Sequence, residues 1–170
     1  MKHRPRLILI AAASRNRVLS SGGKIPWLLP RDVAHFRAQV EGKWLLLGRT
    51  TYEQMRGWLR PGHVPVVLTR QADFEVPGGW AVTSLEEAFA LSGGAGAEEL
   101  WCCGGGQTYA AAIAEAGEII LTTVDLELPG DTFFPALSER DWRIMEMTAF
   151  TQDLENTAGM TIARYVRITN

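Results

Sequence analysis

The chain has 170 residues, enough for one domain with a substantial core. At 46% apolar and 21% charged it has the composition of an ordinary globular protein, not of a disordered or fibrous one. A formal net charge of -2 argues against a dedicated nucleic-acid binder, which is usually basic, but leaves small anionic ligands open.

Lys2, His3, Arg4 and Arg6 precede "LILIAAA", a pattern that resembles a signal peptide. The apolar run ends at Ala13, and Arg15 and Arg17 follow at once. A buried first strand over 7–12 is the better reading. No run approaches the length of a transmembrane helix. "KWLLL" (43–47), "VPVVLT" (64–69), "LWCC" (100–103) and "IILTTV" (119–124) read as further buried strands. Between them, 31–41, 50–56, 84–91 and 107–115 read as helices, and Ser84 with Glu87 gives a capping-box signature. Near the C-terminus, "WRIMEMTAF" (142–150) and "MTIARYVRI" (160–168) flank a polar stretch and predict an antiparallel hairpin at the sheet edge. The expected architecture is α/β: a single domain over 1–170, with a central mostly parallel sheet and helices on both faces. "SSGG", Ser20 to Gly23, is the most flexible-looking stretch.

Cys102 and Cys103 are adjacent, so in a strand they point to opposite faces and do not bridge. His3, His35 and His63 are far apart in sequence and give a metal site no support. This usage fits a reducing cytosol.

Two strands run straight into glycine and then a helix. In "KWLLLGRTTYEQM", Gly48 allows close backbone approach, and Arg49, Thr50 and Thr51 open the helix. In "LWCCGGGQTYAAAI", Gly104, Gly105 and Gly106 have no side chains to block a ligand, and the helix begins near Gln107. A third strand end, "VVLTR", delivers Thr69 and Arg70. Ligands of parallel sheets sit outside the carboxyl ends of the strands, and helix N-termini attract anions. One extended ligand with several phosphates would suit all three ends. The plain alternative for each is a tight strand-to-helix turn that needs glycine. "GGG" is not G-x-G-x-x-G, and "AASRN" follows the first strand, so the standard Rossmann fingerprint is missing. Arginines at two of the ends suit an extra 2′-phosphate, so NADP fits better than NAD.

"IPWLLPRDVAHF" (25–36) holds one acid, Asp32, among large apolar residues. Pro30 suits a first helical position, so the helix starts near Leu29. At about 100° per residue Asp32 lies about 40° from Phe36 and borders the inward face. A first-turn acid facing water, favoured by the helix dipole, is the plain reading. The other is a carboxylate on the wall of an apolar pocket, gripping a flat heterocycle through two parallel hydrogen bonds.

At this point the sequence resembles the dihydrofolate reductases. "IPWLLPRDVAHF", "LLLGRTTYE", "VVLTR", "CCGGGQTY", "ILTTVD" and "GDTFFP" follow that family's order and spacing across residues 7 to 168. The resemblance implies a transfer of hydride from NADPH to C6 of dihydrofolate and of a proton to N5. By similarity Asp32 holds the pterin and promotes N5 protonation, Trp27 helps order a water beside it, and Thr122 hydrogen-bonds the acid. Ile10, Val33, Phe36 and Cys103 would line the pterin pocket, with Ala11, Arg37, Leu59, His63 and Tyr109 as further substrate contacts. Gly48, Arg49, Thr50, Thr51, Leu68, Thr69 and Arg70 would meet NADPH. Gly104, Gly105, Gly106, Gln107 and Thr108 would lie along its pyrophosphate. Ala12, Val18 and Lys24 complete the implied cofactor set, the last two in the loop, Asn16 to Lys24, that closes over the nicotinamide. The implied partners are dihydrofolate and antifolates such as trimethoprim, with no nucleic acid and no membrane. A cytoplasmic monomer is expected.

One position departs from the pattern. After "RPG" the family usually has an arginine that pairs with the folate glutamate; here it is His63. A mostly neutral imidazole cannot form that bidentate fork, and losing such a contact costs about 1–3 kcal/mol. Arg37 or Arg60 could take its place. The rival readings are a reductase of another pterin or of a riboflavin-pathway pyrimidine, and a non-catalytic NADPH-binding protein.

Overall fold

The computed structural model describes residues 3–169; Lys2 of the basic N-terminal cluster lies outside them. Among the described residues ten strands form: β1 (Arg6–Ser14), β2 (Val18–Ser20), β3 (Trp44–Gly48), β4 (Val64–Leu68), β5 (Trp80–Val82), β6 (Glu99–Cys102), β7 (Glu118–Val124), β8 (Thr132–Phe133), β9 (Trp142–Phe150) and β10 (Met160–Arg167). Four helices accompany them: α1 (Pro30–Val40), α2 (Arg49–Met55), α3 (Leu85–Gly94) and α4 (Gly106–Ala112), the last running into a 3₁₀ turn, Ile113–Glu115. No helix among the described residues is long and apolar enough to cross a membrane.

Eight strands make one sheet in the order β5-β4-β3-β6-β1-β7-β10-β9. The junctions from β5 to β7 are parallel. The C-terminal hairpin adds β10 and β9 antiparallel at the edge, with a bulge between Arg164 and Tyr165. This is the expected architecture. The short strands β2, β5 and β8 were not predicted; none exceeds three residues, too short for an alternation to register.

Strand alternation divides the core into two layers. Leu7, Leu9, Ala11 and Ala13 of β1 face one layer with Ala88 and Phe89 of α3 and Tyr109 and Ala112 of α4. Ile8 and Ile10 face the other with Val40 of α1 and Tyr52 of α2. Cys102 and Cys103 fall on opposite sides in the same way, both free thiols. Each fully buried aliphatic side chain contributes about 1.5–3 kcal/mol, so the central strands hold the frame that positions everything at their ends.

Candidate active site

β1 lies beside β6, and β6 beside β3, so the chain winds outward from β3 and returns between β3 and β1. Such a reversal opens a crevice at the carboxyl ends of the strands. Two neighbouring strand ends meet there: the Gly48 N–H donates to the Gly104 carbonyl at 2.7 Å.

α1 begins where Pro30 occupies the first turn after Leu29, which offers no capping side chain. The hairpin loop supplies the missing acceptor: the Arg31 N–H donates to Asn156 Oδ1 at 3.0 Å. Asn156 is itself held by Asp153, whose Oδ1 accepts from the backbone N–H and side-chain amide of Asn156. Arg31 also pairs with Asp153 at 2.9 Å. Those amide bonds pull the Asp153 carboxyl down to about 2.

Asp32 follows, the third residue of α1 and partly buried. The Thr122 hydroxyl, from β7, donates to Asp32 Oδ1 at 2.7 Å, and Thr122 is only 1% exposed. Burial holds the Asp32 carboxyl above the usual carboxylate range, against the Thr122 bond and the attraction of His35, which both pull it down. The plain first-turn acid in open water is therefore excluded.

Around this carboxyl the second core layer supplies an apolar wall. Ile10 and Cys103 are buried in it, and Phe36 and Leu59 pack against it. Burial pushes the Cys103 thiol well up, which suits a wall rather than a nucleophile. Trp27 packs against Leu29, Val124, Ala158 and Met160. The Tyr109 hydroxyl reaches up from the other layer and donates to the Ile10 carbonyl at 2.6 Å.

The chain resembles known proteins along nearly its whole length. The family model described as dihydrofolate reductase matches residues 6–167. The chain belongs to the dihydrofolate reductase family.

Among relatives, it is similar to the dihydrofolate reductase of Neisseria meningitidis serogroup A, with 40% identity over 143 residues, covering 84% of this chain and 87% of that one. It is similar to that of Mycobacterium tuberculosis, with 43% identity over 140 residues, 79% and 83% of the two chains. A solved structure of dihydrofolate reductase from Enterococcus faecalis, complexed with NADP(H) and RAB-propyl, superimposes with a TM-score of 0.87 at 26% identity, covering 99% and 100% of the two chains. Members of the dihydrofolate reductase family are oxidoreductases that use NADPH, and this chain is one of them.

The strand ends fit such a cofactor. α2 and α4 begin at Gly48 and Gly105 with no side-chain cap, so their first N–H groups are free for an anion. A Cβ at Gly48 would lie 2.6 Å from Thr108 Oγ1, and one at Gly105 would lie 3.0 Å from Thr51 Oγ1. A Cβ at Gly106 would lie 2.8 Å from a Thr132 methyl. The glycines are thus needed by the packing of the two helix starts as well as by any ligand. Thr50, Arg49, Arg70 and Gln107 are exposed there, while Thr69 uses its hydroxyl to accept from the Gln71 N–H. Leu68 ends β4 beside them.

Several expected contacts sit differently. Ala11 faces the α3–α4 layer, so only its backbone can face the crevice; Ala12, paired with Thr122, faces the other way. Val18 is 0% exposed and packs in the interior, so its side chain reaches no ligand. Val33 is 50% exposed, at the rim rather than in the wall. His63 is folded into its own turn: its Nδ1 accepts from the Arg60 N–H at 3.0 Å, its ring stacks on Trp58, and its Nε2 is buried. It cannot meet a solvated carboxylate. Arg37 lies over the Trp58 ring, 4.5 Å from its centroid.

The flexible-looking "SSGG" is held in place. β2 pairs with β8, the Gly22 N–H donates to Asp131 Oδ2 at 2.9 Å, and Lys24 closes a turn onto Ser21. Gly22 and Gly23 are there for positive φ as much as for freedom. One residue of the site was missed. His35 follows Asp32 by three positions, a helical spacing that the sequence displays.

Proposed function

We propose that this crevice reduces 7,8-dihydrofolate to tetrahydrofolate, with Asp32 as the group that holds the pterin and promotes protonation of N5. The observation that carries the reading is the Asp32–Thr122 hydrogen bond, a fixed acid at the edge of an apolar wall. One carboxylate oxygen is occupied by Thr122, and lone pairs remain on both for a ring N–H and an amino group. Protonated, the same group donates toward N5 or toward a water between them, which Trp27 borders. When bound, NADPH supplies the hydride that goes to C6. Arg49, Thr50, Thr51 and Arg70, with the uncapped starts of α2 and α4, would hold its phosphates, and Gly104 to Thr108 its pyrophosphate.

Ile10, Phe36, Leu59 and Cys103 exclude water from one side of the flat ring. The substrate tail meets Arg37 and Arg60 rather than His63, whose polar atoms are turned inward. An antifolate such as trimethoprim would enter the same pocket, since it offers the same flat pair of donors to Asp32. We read residues 1–170 as one domain acting as a cytoplasmic monomer; the crevice is built from a single chain, and two free, buried cysteines suit a reducing compartment.

The test is Asp32→Asn. It leaves shape and hydrogen-bonding capacity while removing the titrating proton. Turnover with dihydrofolate should nearly vanish while NADPH binding, read by fluorescence quenching, is kept. Undiminished turnover in that variant overturns the assignment.

A further inference from the structure

α1 opens without a cap of its own. Pro30 has no N–H, and the N–H groups of Asp32 and Val33 both donate to the Leu29 carbonyl, at 3.0 and 3.1 Å. The Arg31 N–H remains, in the place where a capping side chain normally accepts, and Leu29 has no polar side chain to offer. Its acceptor comes from a loop 125 residues on: Asn156 Oδ1, at 3.0 Å, on a residue 4% exposed. Asn156 is itself fixed, because its side-chain amide donates to Asp153 Oδ1 at 3.0 Å and its backbone N–H to the same oxygen at 2.7 Å. The same hairpin also holds the far side of the acid. The Asp125 N–H, just past the end of β7, donates to the Gly159 carbonyl at 2.9 Å, and Met160 pairs with Val124, two residues beyond Thr122. Both partners of the Asp32–Thr122 bond are therefore tied to one short segment, 156–160.

We propose that Asn156 is a positioning residue for the reduction: it caps α1 from outside the helix and so holds Asp32 against Thr122 in the crevice. This rests on the reading that Asp32 serves N5 protonation. Asp32 lies in the first turn, the part of a helix that frays when its free N–H groups lose their acceptors. The Asp32–Thr122 bond is 2.7 Å long and tolerates little displacement before it leaves hydrogen-bond range. A reacting group displaced by about an ångström costs up to about a hundredfold in rate. The residues read as holding NADPH lie at the starts of α2 and α4 and past the end of β4, outside this network. A cap that only stabilised the helix would change how much protein is folded and leave the kinetics of the folded protein alone.

The experiment compares Asn156→Ala, Asn156→Asp and Asp153→Ala with wild type by single-turnover hydride transfer, normalised to active sites counted by NADPH titration. Asn156→Ala should slow the transfer at least about threefold and leave the NADPH Kd unchanged. Asn156→Asp keeps an oxygen for the Arg31 N–H but loses the amide bond to Asp153, so it should melt earlier yet transfer hydride near the wild-type rate. A wild-type transfer rate in Asn156→Ala, or an equal loss in the Ala and Asp variants, overturns the proposal. A second arm needs no catalysis. Above the Asp32 pKa, Thr122→Val should raise the unfolding constant about fivefold to thirtyfold in the wild-type background, but about twofold or less once Asn156→Ala has freed the acid. Independent distant sites add to within about twofold, so an additive cycle overturns the proposal. Asp153 is exposed, and if Asn156→Ala does not fold, Asp153→Ala takes its place in both arms with the same outcomes. Full turnover in Asp32→Asn would sink the reading of Asp32 alone, while the cycle still reports whether Asn156 holds it.

Discussion

Thr122→Val removes one hydroxyl from a site that is otherwise filled, because valine matches threonine in shape. The lost bond, 2.7 Å long, runs to a carboxylate from a side chain 1% exposed. A hydrogen bond to a charged group contributes about 1.5–3 kcal/mol, and the extra buried methyl recovers about 0.8 kcal/mol. With Asp32 ionised the net cost is therefore about 1–2 kcal/mol. With Asp32 protonated the bond is a neutral one, about 0.5–1.5 kcal/mol, and the methyl nearly cancels it. The cost of the substitution must then depend on pH. Asp32 has its folded pKa raised by burial, so its contribution is full below the unfolded pKa and is lost as pH rises through the folded one. The Thr122 bond works in the opposite sense, strongest above the folded pKa and weakened below it. Thermal unfolding of the ligand-free protein across pH reads this directly. For a chain of this size the deficit should be about 2–8 °C on the alkaline side and close to zero on the acid side. The alkaline fall of hydride transfer should also move upward, since the acid loses what pulled it down. A deficit constant across pH would show that the hydroxyl acts on packing alone.

His63→Arg should lower the KM for dihydrofolate by supplying the bidentate fork, yet cost about 0.5–1.5 kcal/mol of stability, because the Arg60 N–H loses its acceptor; steady-state kinetics with a melting curve checks both, and an unchanged KM refutes the first. Gly48→Ala places a methyl 2.6 Å from Thr108 Oγ1 and 3.5 Å from the Gly105 nitrogen, so it should cost about 1–3 kcal/mol in urea unfolding and weaken NADPH binding. Arg70→Ala should raise the KM for NADPH several-fold while leaving that for NADH unchanged, as expected of a partner for the 2′-phosphate; equal effects on both cofactors would move Arg70 away from that group.

The sheet was legible because its strands are buried on both faces and read as continuous apolar runs: "LILIAA", "KWLLL" and "IILTTV" each became a strand within two residues of the expected ends. β9, Trp142–Phe150, matches its predicted span despite lying exposed at the edge, where Ile144, Met145 and Met147 remain in contact with water. The expected cap of α3 formed too: Ser84 Oγ accepts from the Glu87 N–H at 3.2 Å, although Glu87 returns its bond to Thr83 instead of Ser84. The pairing of Asp32 with Thr122 became legible only through the family resemblance, since nothing local links two residues 90 apart. What stayed hidden is set by tertiary neighbours. "SSGG" looks free in one dimension and is pinned by Asp131 in three. Val18 looks like part of a surface loop and is wholly interior. His63 reads as a weakened anchor and turns out to serve its own turn.

The position of the acid also shows which forces set its character. Asp32 sits in the first turn of α1, where the helix dipole favours a negative charge by about 0.3–1 kcal/mol. Thr122 favours the same charged form, and His35 adds to it. All three would lower the carboxyl, and on a water-facing helix the sum would produce an ordinary strong acid. The carboxyl is nonetheless shifted upward, so burial outweighs them together. That burial is not a property of α1, whose only fully buried side chain is Val40. Thr122 of β7 stands against the acid, and a hairpin loop over 120 residues away holds the start of its helix through Asn156. A carboxyl so placed keeps its proton to higher pH than one facing water, which is the direction that general acid chemistry needs. The same residues that make the fold hold its acid against water are those that make the acid able to give up a proton.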